Sequence, residues 1–189
     1  MNKITSIKTV SVAVLCALLS ACASTTNNSV SGVQRNQLLL LPTSTVNDMY
    51  AQSYTQTLQE AKKNNTLHAD KPLLTRVTNI SNRLIAQVGV FRPDAAKWKW
   101  EVNVEKNDQL NAYCMPGGKI MVFSGLAEKL KATDDELAAV IGHEIAHALR
   151  EHGRERMSQA YIQQFGLQAL ATVIGGNAGN MAAQGAGLG

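Results

Sequence analysis

The sequence predicts a mostly helical α+β fold with a small sheet, and three patterns support this class. Apolar side chains recur every three or four residues in two stretches before residue 90, which is the period of a helix buried on one face. Apolar and polar side chains alternate between Trp98 and Val104, as in a half-buried strand. A capping box at Thr133 then opens a further helix, which carries three of the chain's four histidines.

Residues 1–21 are typical of a lipoprotein-type signal peptide. A basic start is followed by an apolar run at residues 10–19 and by small residues before Cys22. This run is shorter than the roughly 20 residues that a membrane-spanning helix needs. The tetrapeptide LSAC resembles a bacterial lipobox, whose cysteine is acylated and becomes the new N-terminus. An ordinary signal cleaved after Ala21 is the alternative.

The following segment, residues 22–35, is predicted to be a flexible tether because it is polar and small. Acyl chains on Cys22 would anchor it stably, at about 0.8 kcal/mol for each buried methylene. Cys22 is followed by Ala23 and not by an acidic residue, which in similar Gram-negative lipoproteins favours the outer membrane. We therefore expect an anchor at the periplasmic face of the outer membrane, with residues 36–189 forming one folded domain.

The charge of the chain argues against a nucleic-acid-binding function, and its cysteine content argues against a fold held by an internal disulfide. Without the signal peptide, 16 basic and 14 acidic side chains leave a net charge of +2, and no basic stripe indicates a nucleic-acid partner. Cys16 is removed with the signal and Cys22 is acylated, so Cys114 has no partner for an internal disulfide. We expect Cys114 to be a small buried apolar residue, with a redox role as the alternative.

Two helices are expected before the sheet. The first would be capped by Ser44 or Thr45 and would run to about Lys62. The second would begin near Pro72, because proline suits a first helical turn, and its apolar stripe continues to Val88. Both stripes are interpreted as surfaces that face the core.

The sheet is expected to contain two further short extended segments, residues 111–115 and 119–123. Because proline lacks an amide donor, the intervening Pro116 predicts a sheet edge or a bend and not a central strand. Ser124 is expected to cap a short helix through Leu130. The helix that begins after Thr133 should end near Gly153, and another should span about residues 155–174.

His143 and His147 bracket Glu144 in the pattern H-E-x-x-H. Residues four apart on a helix differ by about 40° around its axis, so both imidazoles point the same way. Each can place a nitrogen roughly 2.0–2.1 Å from one Zn²⁺. Glu144 would then act as the catalytic base on a water whose pKa the zinc lowers to roughly 7. A surface helix with incidental histidines is the alternative.

The run from Asn111 to Arg156, which contains this motif, resembles the HtpX-like, CAAX-prenyl-protease-type zinc metallopeptidases (gluzincins), and more narrowly their periplasmic lipoprotein members. The resemblance covers roughly residues 35–175. It implies a zincin-like α+β domain in which the zinc helix packs beside a small sheet. It also implies that a polypeptide substrate is held in extended form by strand addition. The predicted substrate contacts are Asn111, Ala112, Pro116, Gly117 and Gly118, and an ordinary turn is the alternative for the last three.

A catalytic zinc site needs a third protein ligand. On a straight helix Glu151 would lie about 12 Å from His143, and His152 would be rotated by about 140° from His147. The metzincin pattern fails because Arg150 stands at its glycine position. His152 is therefore interpreted as a residue that packs near the site or supports a metal ligand, and a hydrogen bond from it toward the site stays open as the alternative.

The other candidates for this ligand are no better. Glu155 would reach the site only if Gly153 redirected the chain, and His68 is expected in a solvated loop. The resemblance implies a glutamate on a later helix, in an E-x-x-x-D-like segment, yet no Asp or Glu follows Glu155. We therefore expect the third ligand to be missing, the domain at residues 36–189 to be incomplete at its C-terminus, and zinc binding to be weak. A natural form that has lost catalysis is the alternative.

These observations predict a zinc-dependent endopeptidase of the bacterial cell envelope, with Zn²⁺ as cofactor and polypeptides as substrates. The resemblance alone implies a role in degrading or processing misfolded envelope proteins. The alternative is a catalytically impaired envelope lipoprotein that binds client or assembly partners on its edge strand. A purely structural metal protein is disfavoured because it would not require Glu144 between the histidines.

Overall fold

The structure is a computed structural model that describes residues 22–26, 32 and 35–174. Its strands are β1 (Cys22–Ala23), β2 (Gln37–Leu38), β3 (Glu101–Glu105), β4 (Ala112–Met115) and β5 (Lys119–Phe123). Its helices are α1 (Thr43–Lys63), α2 (Lys71–Ile85), α3 (Val88–Phe91), α4 (Ser124–Lys129), α5 (Asp134–Leu149) and α6 (His152–Ile174), with a 3-10 turn at Pro93–Lys97. The predicted signal peptide lies outside the described residues.

The main sheet has three strands in the order β3-β5-β4. β5 pairs in parallel with β3 and antiparallel with β4, so β4 is an edge strand. The turn between β4 and β5 contains Pro116, and Gly117 and Gly118 have φ angles of 79° and 84°, which glycine adopts without strain. The predicted edge or bend is confirmed for β4 and for the turn that contains Pro116, but it is wrong for residues 119–123, because β5 is the central strand.

Helices cover both faces of this sheet. On one face α2 and α5 pack around the main core, whose fully buried side chains include Val77, Ile120 and Leu137. On the other face Tyr54 of α1 packs with Met121 in a second cluster. Because side chains alternate along a strand, β4 and β5 contribute to both clusters. The predicted α+β class, with a small sheet beside the H-E-x-x-H helix, is confirmed.

Two predicted helix caps are wrong. Ser44 and Thr45 lie inside the first turn of α1, which follows Pro42 without a side-chain cap. Ser124 is the first residue of α4, and its hydroxyl bonds to the backbone of Asn107 instead. A hydroxyl residue caps a helix only where the chain is extended just before the first turn, and the sequence pattern did not fix that point.

The second predicted helix is confirmed at its start but not at its end. The Asp70 carboxylate accepts a hydrogen bond from Leu73 N at 2.8 Å, and Pro72 lies in the first turn of α2. α2 ends at Ile85, and Val88 instead begins the short helix α3. The apolar stripe continues across the break because both helices face the same core.

The described ends of the predicted tether make contacts with the folded body. β1 pairs antiparallel with β2 through Cys22–Leu38 and Ala23–Gln37. Arg35 forms an ion pair of 2.7 Å with the buried Glu155. The flexibility of the segment between these ends stays a prediction. Within the described part of the chain, every helix is too short or too polar to cross a membrane.

Candidate active site

The H-E-x-x-H residues lie on α5, whose start is fixed by the predicted capping box. Thr133 Oγ1 accepts a hydrogen bond from Glu136 N at 3.3 Å, and the Glu136 carboxylate accepts one from Thr133 N at 2.8 Å. Leu137 and Ile141 are completely buried on the core side of the helix. His143 is exposed and Glu144 and His147 are partly exposed, so these three side chains lie beside the buried face of α5, to which Ile145 of the motif belongs.

His143 and His147 point their Nε2 atoms at a common position, with 2.9 Å between the two nitrogens. A tetrahedral zinc ion with bonds of about 2.0–2.1 Å separates two such nitrogens by about 3.3 Å. A small change in the side-chain torsions would therefore let both rings bind one ion. This geometry fits the metal that the sequence motif predicts, and it supplies two of its ligands.

A cavity of about 290 Å³ adjoins His147, and Glu144 also lies in its wall. The cavity is bounded by α1, the edge strand β4, α5 and the first turn of α6. It is lined by Tyr50, Tyr113, Cys114, Met115, Pro116, Glu144, His147, Ala148, His152, Gly153 and Arg156. The motif and the free edge of the sheet thus face one space.

The predicted substrate contacts lie along β4 and its turn. Of these residues only Pro116 lines the cavity. Asn111 O accepts a hydrogen bond from Phe123 N, so the alternating pattern of an antiparallel pair turns the backbone groups of Ala112 away from β5. Within the described strands, that outer edge has no partner. Substrate binding by Asn111, Ala112, Gly117 and Gly118 stays a prediction.

His152 lies beside the motif because the helix breaks before it. α5 ends at Leu149, Glu151 has a φ angle of 50°, and α6 begins at His152. His152 Nδ1 therefore lies 2.5 Å from His147 Nδ1. The rotation expected for a straight helix is wrong, and the alternative of a hydrogen bond toward the site is confirmed.

This hydrogen bond has the form that orients metal-binding histidines. A ligating imidazole usually donates its second N–H to a nearby acceptor, which fixes the ring and its tautomer. Burial lowers the pKa of His152, and the neighbouring His147 lowers it further. A neutral His152 has one ring nitrogen without a proton, so it can accept the hydrogen bond from His147.

The other candidate ligands point elsewhere. Glu151 is buried between Arg92 and Arg154, and Glu155 is bound by the N-terminal segment. His68 is half-buried, with Nε2 at 2.7 Å from Asn103 Oδ1, so its predicted solvation is wrong. Among the residues that the structure describes, no third His, Cys, Asp or Glu completes a metal site with the two histidines.

Cys114 faces the core from β4 and is 9% exposed. Burial raises the pKa of its thiol, and the charge of Glu144 raises it further. The thiol therefore stays protonated near neutral pH, and thiol redox chemistry requires the thiolate. The prediction of a small buried apolar residue is confirmed.

Comparison with known protein families decides the class. The sequence profile of peptidase family M48 matches residues 74–188, which include the complete H-E-x-x-H motif. The chain belongs to peptidase family M48. This membership confirms the predicted metallopeptidase class, while the narrower resemblance to HtpX-like and CAAX-prenyl-protease-type enzymes stays a prediction.

Three relatives show how this M48 chain compares with longer proteins. It is 32% identical over 140 residues to the mitochondrial metalloendopeptidase OMA1 of Saccharomyces cerevisiae, covering 71% of this chain and 39% of the relative. It is 30% identical over 113 residues to the metalloprotease LoiP of Escherichia coli, covering 60% and 41%. It is 33% identical over 89 residues to the β-barrel assembly-enhancing protease of Yersinia pestis, covering 47% and 17%. The chain thus spans less than half of each relative, and no solved structure matches it.

Sequence reasoning missed two side chains of this M48 site. Tyr50 of α1 and Arg156 of α6 both line the cavity. Tyr50 belongs to the apolar stripe of the first predicted helix, and nothing in its spacing distinguishes a residue that faces a cavity from one that faces the core. The residue that marks the position of Tyr50 in the cavity is Gly153, because a β-carbon there would lie 2.8 Å from the Tyr50 hydroxyl.

Proposed function

We propose that this M48 chain is a zinc-dependent endopeptidase of the bacterial cell envelope. The observation that carries the proposal is the convergence of the His143 and His147 Nε2 atoms, 2.9 Å apart, beside the cavity that contains Glu144. The two imidazoles are the residues that would hold the ion. Bound zinc would polarise a peptide carbonyl and lower the pKa of water to roughly 7.

Glu144 is the proposed proton carrier. Its carboxylate forms no hydrogen bond or ion pair with the described residues, and it lines the cavity. It is therefore free to take a proton from the attacking water and to return it to the leaving amine. Because Glu144 lies on the same helix as His143 and His147, the helix would keep its carboxylate close to the ion that the two histidines hold.

An extended polypeptide is the substrate class that fits the free edge of β4. Strand addition would use the outward backbone groups of Ala112, with Asn111 at one end and the turn Pro116–Gly118 at the other. Binding through the backbone tolerates many side chains. This property supports the proposed action on misfolded proteins, which expose extended segments of varied sequence.

The proposed location is the periplasmic face of the outer membrane, with a lipid anchor at Cys22. The LSAC sequence and Ala23 support the location, and two of the similar proteins are bacterial proteases. The name of the Yersinia pestis relative refers to β-barrel assembly, which supports envelope proteins as substrates here. Family membership favours this proposal over a lipoprotein that only binds clients.

The test is cleavage of unfolded casein by the purified chain in the presence of zinc. We expect slow cleavage that a metal chelator stops and that Glu144→Gln lowers by about 100-fold or more, as for loss of a general base. Glu128→Gln is the matched control, because Glu128 is exposed on α4 and lies outside the cavity wall. Cleavage that persists in Glu144→Gln, or that no chelator affects, would overturn the proposal.

A further inference from the structure

We propose that Glu151 is a positioning residue that holds His152 against His147 by fixing the break between α5 and α6. The inference rests on the proposed function, because it takes His147 as a metal ligand. The evidence is the backbone conformation of Glu151 together with the two guanidinium groups that bind its buried carboxylate.

The break is a specific backbone arrangement. Arg150 N donates to Ala146 O and ends α5, and Glu151 N donates to Ala148 O at 3.0 Å. Glu151 has a φ angle of 50°, which is a left-handed backbone conformation. Most residues other than glycine and asparagine adopt it at a cost in free energy. Its carbonyl then accepts from Glu155 N at 3.0 Å and starts the next helix. An unbroken helix would instead turn residue 152 about 140° away from His147.

The Glu151 side chain supplies the compensating interactions. It is 3% exposed and accepts hydrogen bonds from Arg92 Nη2 at 3.0 Å and from Arg154 Nη1 at 2.7 Å. Charge-assisted hydrogen bonds away from water are among the strongest in proteins. The carboxylate therefore keeps the residue in place although its backbone conformation is unfavourable.

The two arginines connect this carboxylate to fixed parts of the fold. Arg92 Nη1 donates to Leu149 O, which is the last carbonyl of α5. Arg154 donates to Leu41 O and Leu39 O in the segment before α1. Glu151 is thus the common acceptor for groups anchored at the end of α5 and in the N-terminal segment.

Loss of the carboxylate would leave two partly buried guanidinium groups without their shared acceptor and would leave the left-handed backbone uncompensated. The relief available is rotation of the first turn of α6, which moves His152 away from His147. Glu155 provides a comparison, because it is also buried in α6 but binds Arg35 and Gln37 one turn further on. Its removal costs an ion pair with the half-exposed Arg35 and leaves the side-chain contacts of Glu151 unchanged.

The test detects the hydrogen bond directly in protein without metal or substrate. With ¹⁵N-labelled histidine at about pH 8, above the ordinary pKa of histidine, a nitrogen–nitrogen coupling should connect His147 Nδ1 and His152 Nδ1. We expect Glu151→Gln to lose this coupling and Glu155→Gln to keep it. Glu151→Ala, which lacks the carboxylate and still adopts the left-handed backbone at a cost, is the second variant if Glu151→Gln does not fold, and it should lose the coupling as well.

A folded Glu151 variant that keeps the coupling would overturn the proposal. A second measurement is the affinity for Co²⁺, which should fall by about 10-fold or more in the Glu151 variants relative to Glu155→Gln, as when the hydrogen-bond partner of a metal-binding histidine is lost. The two proposals fail separately. Loss of the coupling in a chain that never cleaves casein would support the positioning role and refute the protease.

Discussion

Tyr50 and Gly153 are in direct contact across the candidate active site. A β-carbon built on Gly153 would lie 2.8 Å from the Tyr50 hydroxyl and 3.2 Å from its ring carbon Cζ. This contact joins α1 to the first turn of α6, one residue after His152. The width of the cavity therefore depends on the absence of a side chain at residue 153.

Gly153→Ala should destabilise the protein by about 1–3 kcal/mol, because the added methyl group must displace Tyr50 or α6. Gly142→Ala is the control, since a β-carbon there meets only Leu84 Cδ2 at 3.9 Å and alanine favours a helix. Urea unfolding measures both changes. Equal stability of Gly153→Ala and the unsubstituted chain would show that Tyr50 moves aside without cost.

Zinc binding by the 189-residue chain is predicted to be weak. Two imidazoles converge, but no third ligand joins them within the described residues. Competition with a chelating dye should show zinc that a mild chelator removes. His147→Ala should weaken zinc binding by more than the roughly 10–100-fold that is typical when a metal-binding histidine loses its hydrogen-bond partner. His68→Ala is the control, since His68 bonds to Asn103 away from the site. Stoichiometric zinc that survives mild chelation would contradict this prediction.

The sequence predicted the motif helix well because its signals are local. The capping box at Thr133 requires only residues within one turn, and the spacing of His143 and His147 fixes their common face. Similarly, Pro116 places its own segment at an edge because it lacks an amide donor. Such features depend on neighbours in sequence and need no knowledge of tertiary contacts.

The position of His152 was missed because its cause is not local. The break at Glu151 depends on Arg92, which is 59 residues away in sequence, and on Arg154 contacts to the segment before α1. His68 was missed for the same reason, since its partner Asn103 lies on β3. Long-range polar contacts between side chains carry no periodic signal, so the pattern of the sequence did not reveal them.

Cys114 should be unreactive in the folded protein. Burial raises the pKa of its thiol, so the reactive thiolate is scarce near neutral pH. Alkylation at about pH 8 should be at least about 100-fold slower than in the urea-unfolded chain. Mass spectrometry of the peptide that contains Cys114 measures the rate, and Cys114→Ser gives the background. Rapid alkylation of the folded chain would instead indicate an accessible thiolate in the cavity wall.

Tyr54→Phe should destabilise the fold by about 1–3 kcal/mol. The Tyr54 hydroxyl is buried, donates to Ile120 O at 2.8 Å and accepts from Asn103 Nδ2 at 2.9 Å, so its loss leaves both partners unpaired. Tyr161→Phe is the matched control, because Tyr161 is 46% exposed. Thermal unfolding compares the two variants, and similar midpoints would mean that water replaces the lost hydroxyl.

Cys22→Ser should release the protein from the membrane. The proposed acyl chains each add about 0.8 kcal/mol of membrane affinity for every buried methylene. The serine hydroxyl cannot replace the Cys22 thiol as the point where the lipid is attached. Growth of an expressing bacterium with an alkyne-labelled fatty acid should label the unsubstituted chain and not Cys22→Ser. Cys16→Ser is the control and should remain labelled, since Cys16 lies within the proposed signal peptide. A labelled Cys22→Ser chain in the membrane fraction would refute the anchor at this cysteine, whereas an unlabelled chain exported in soluble form would support it.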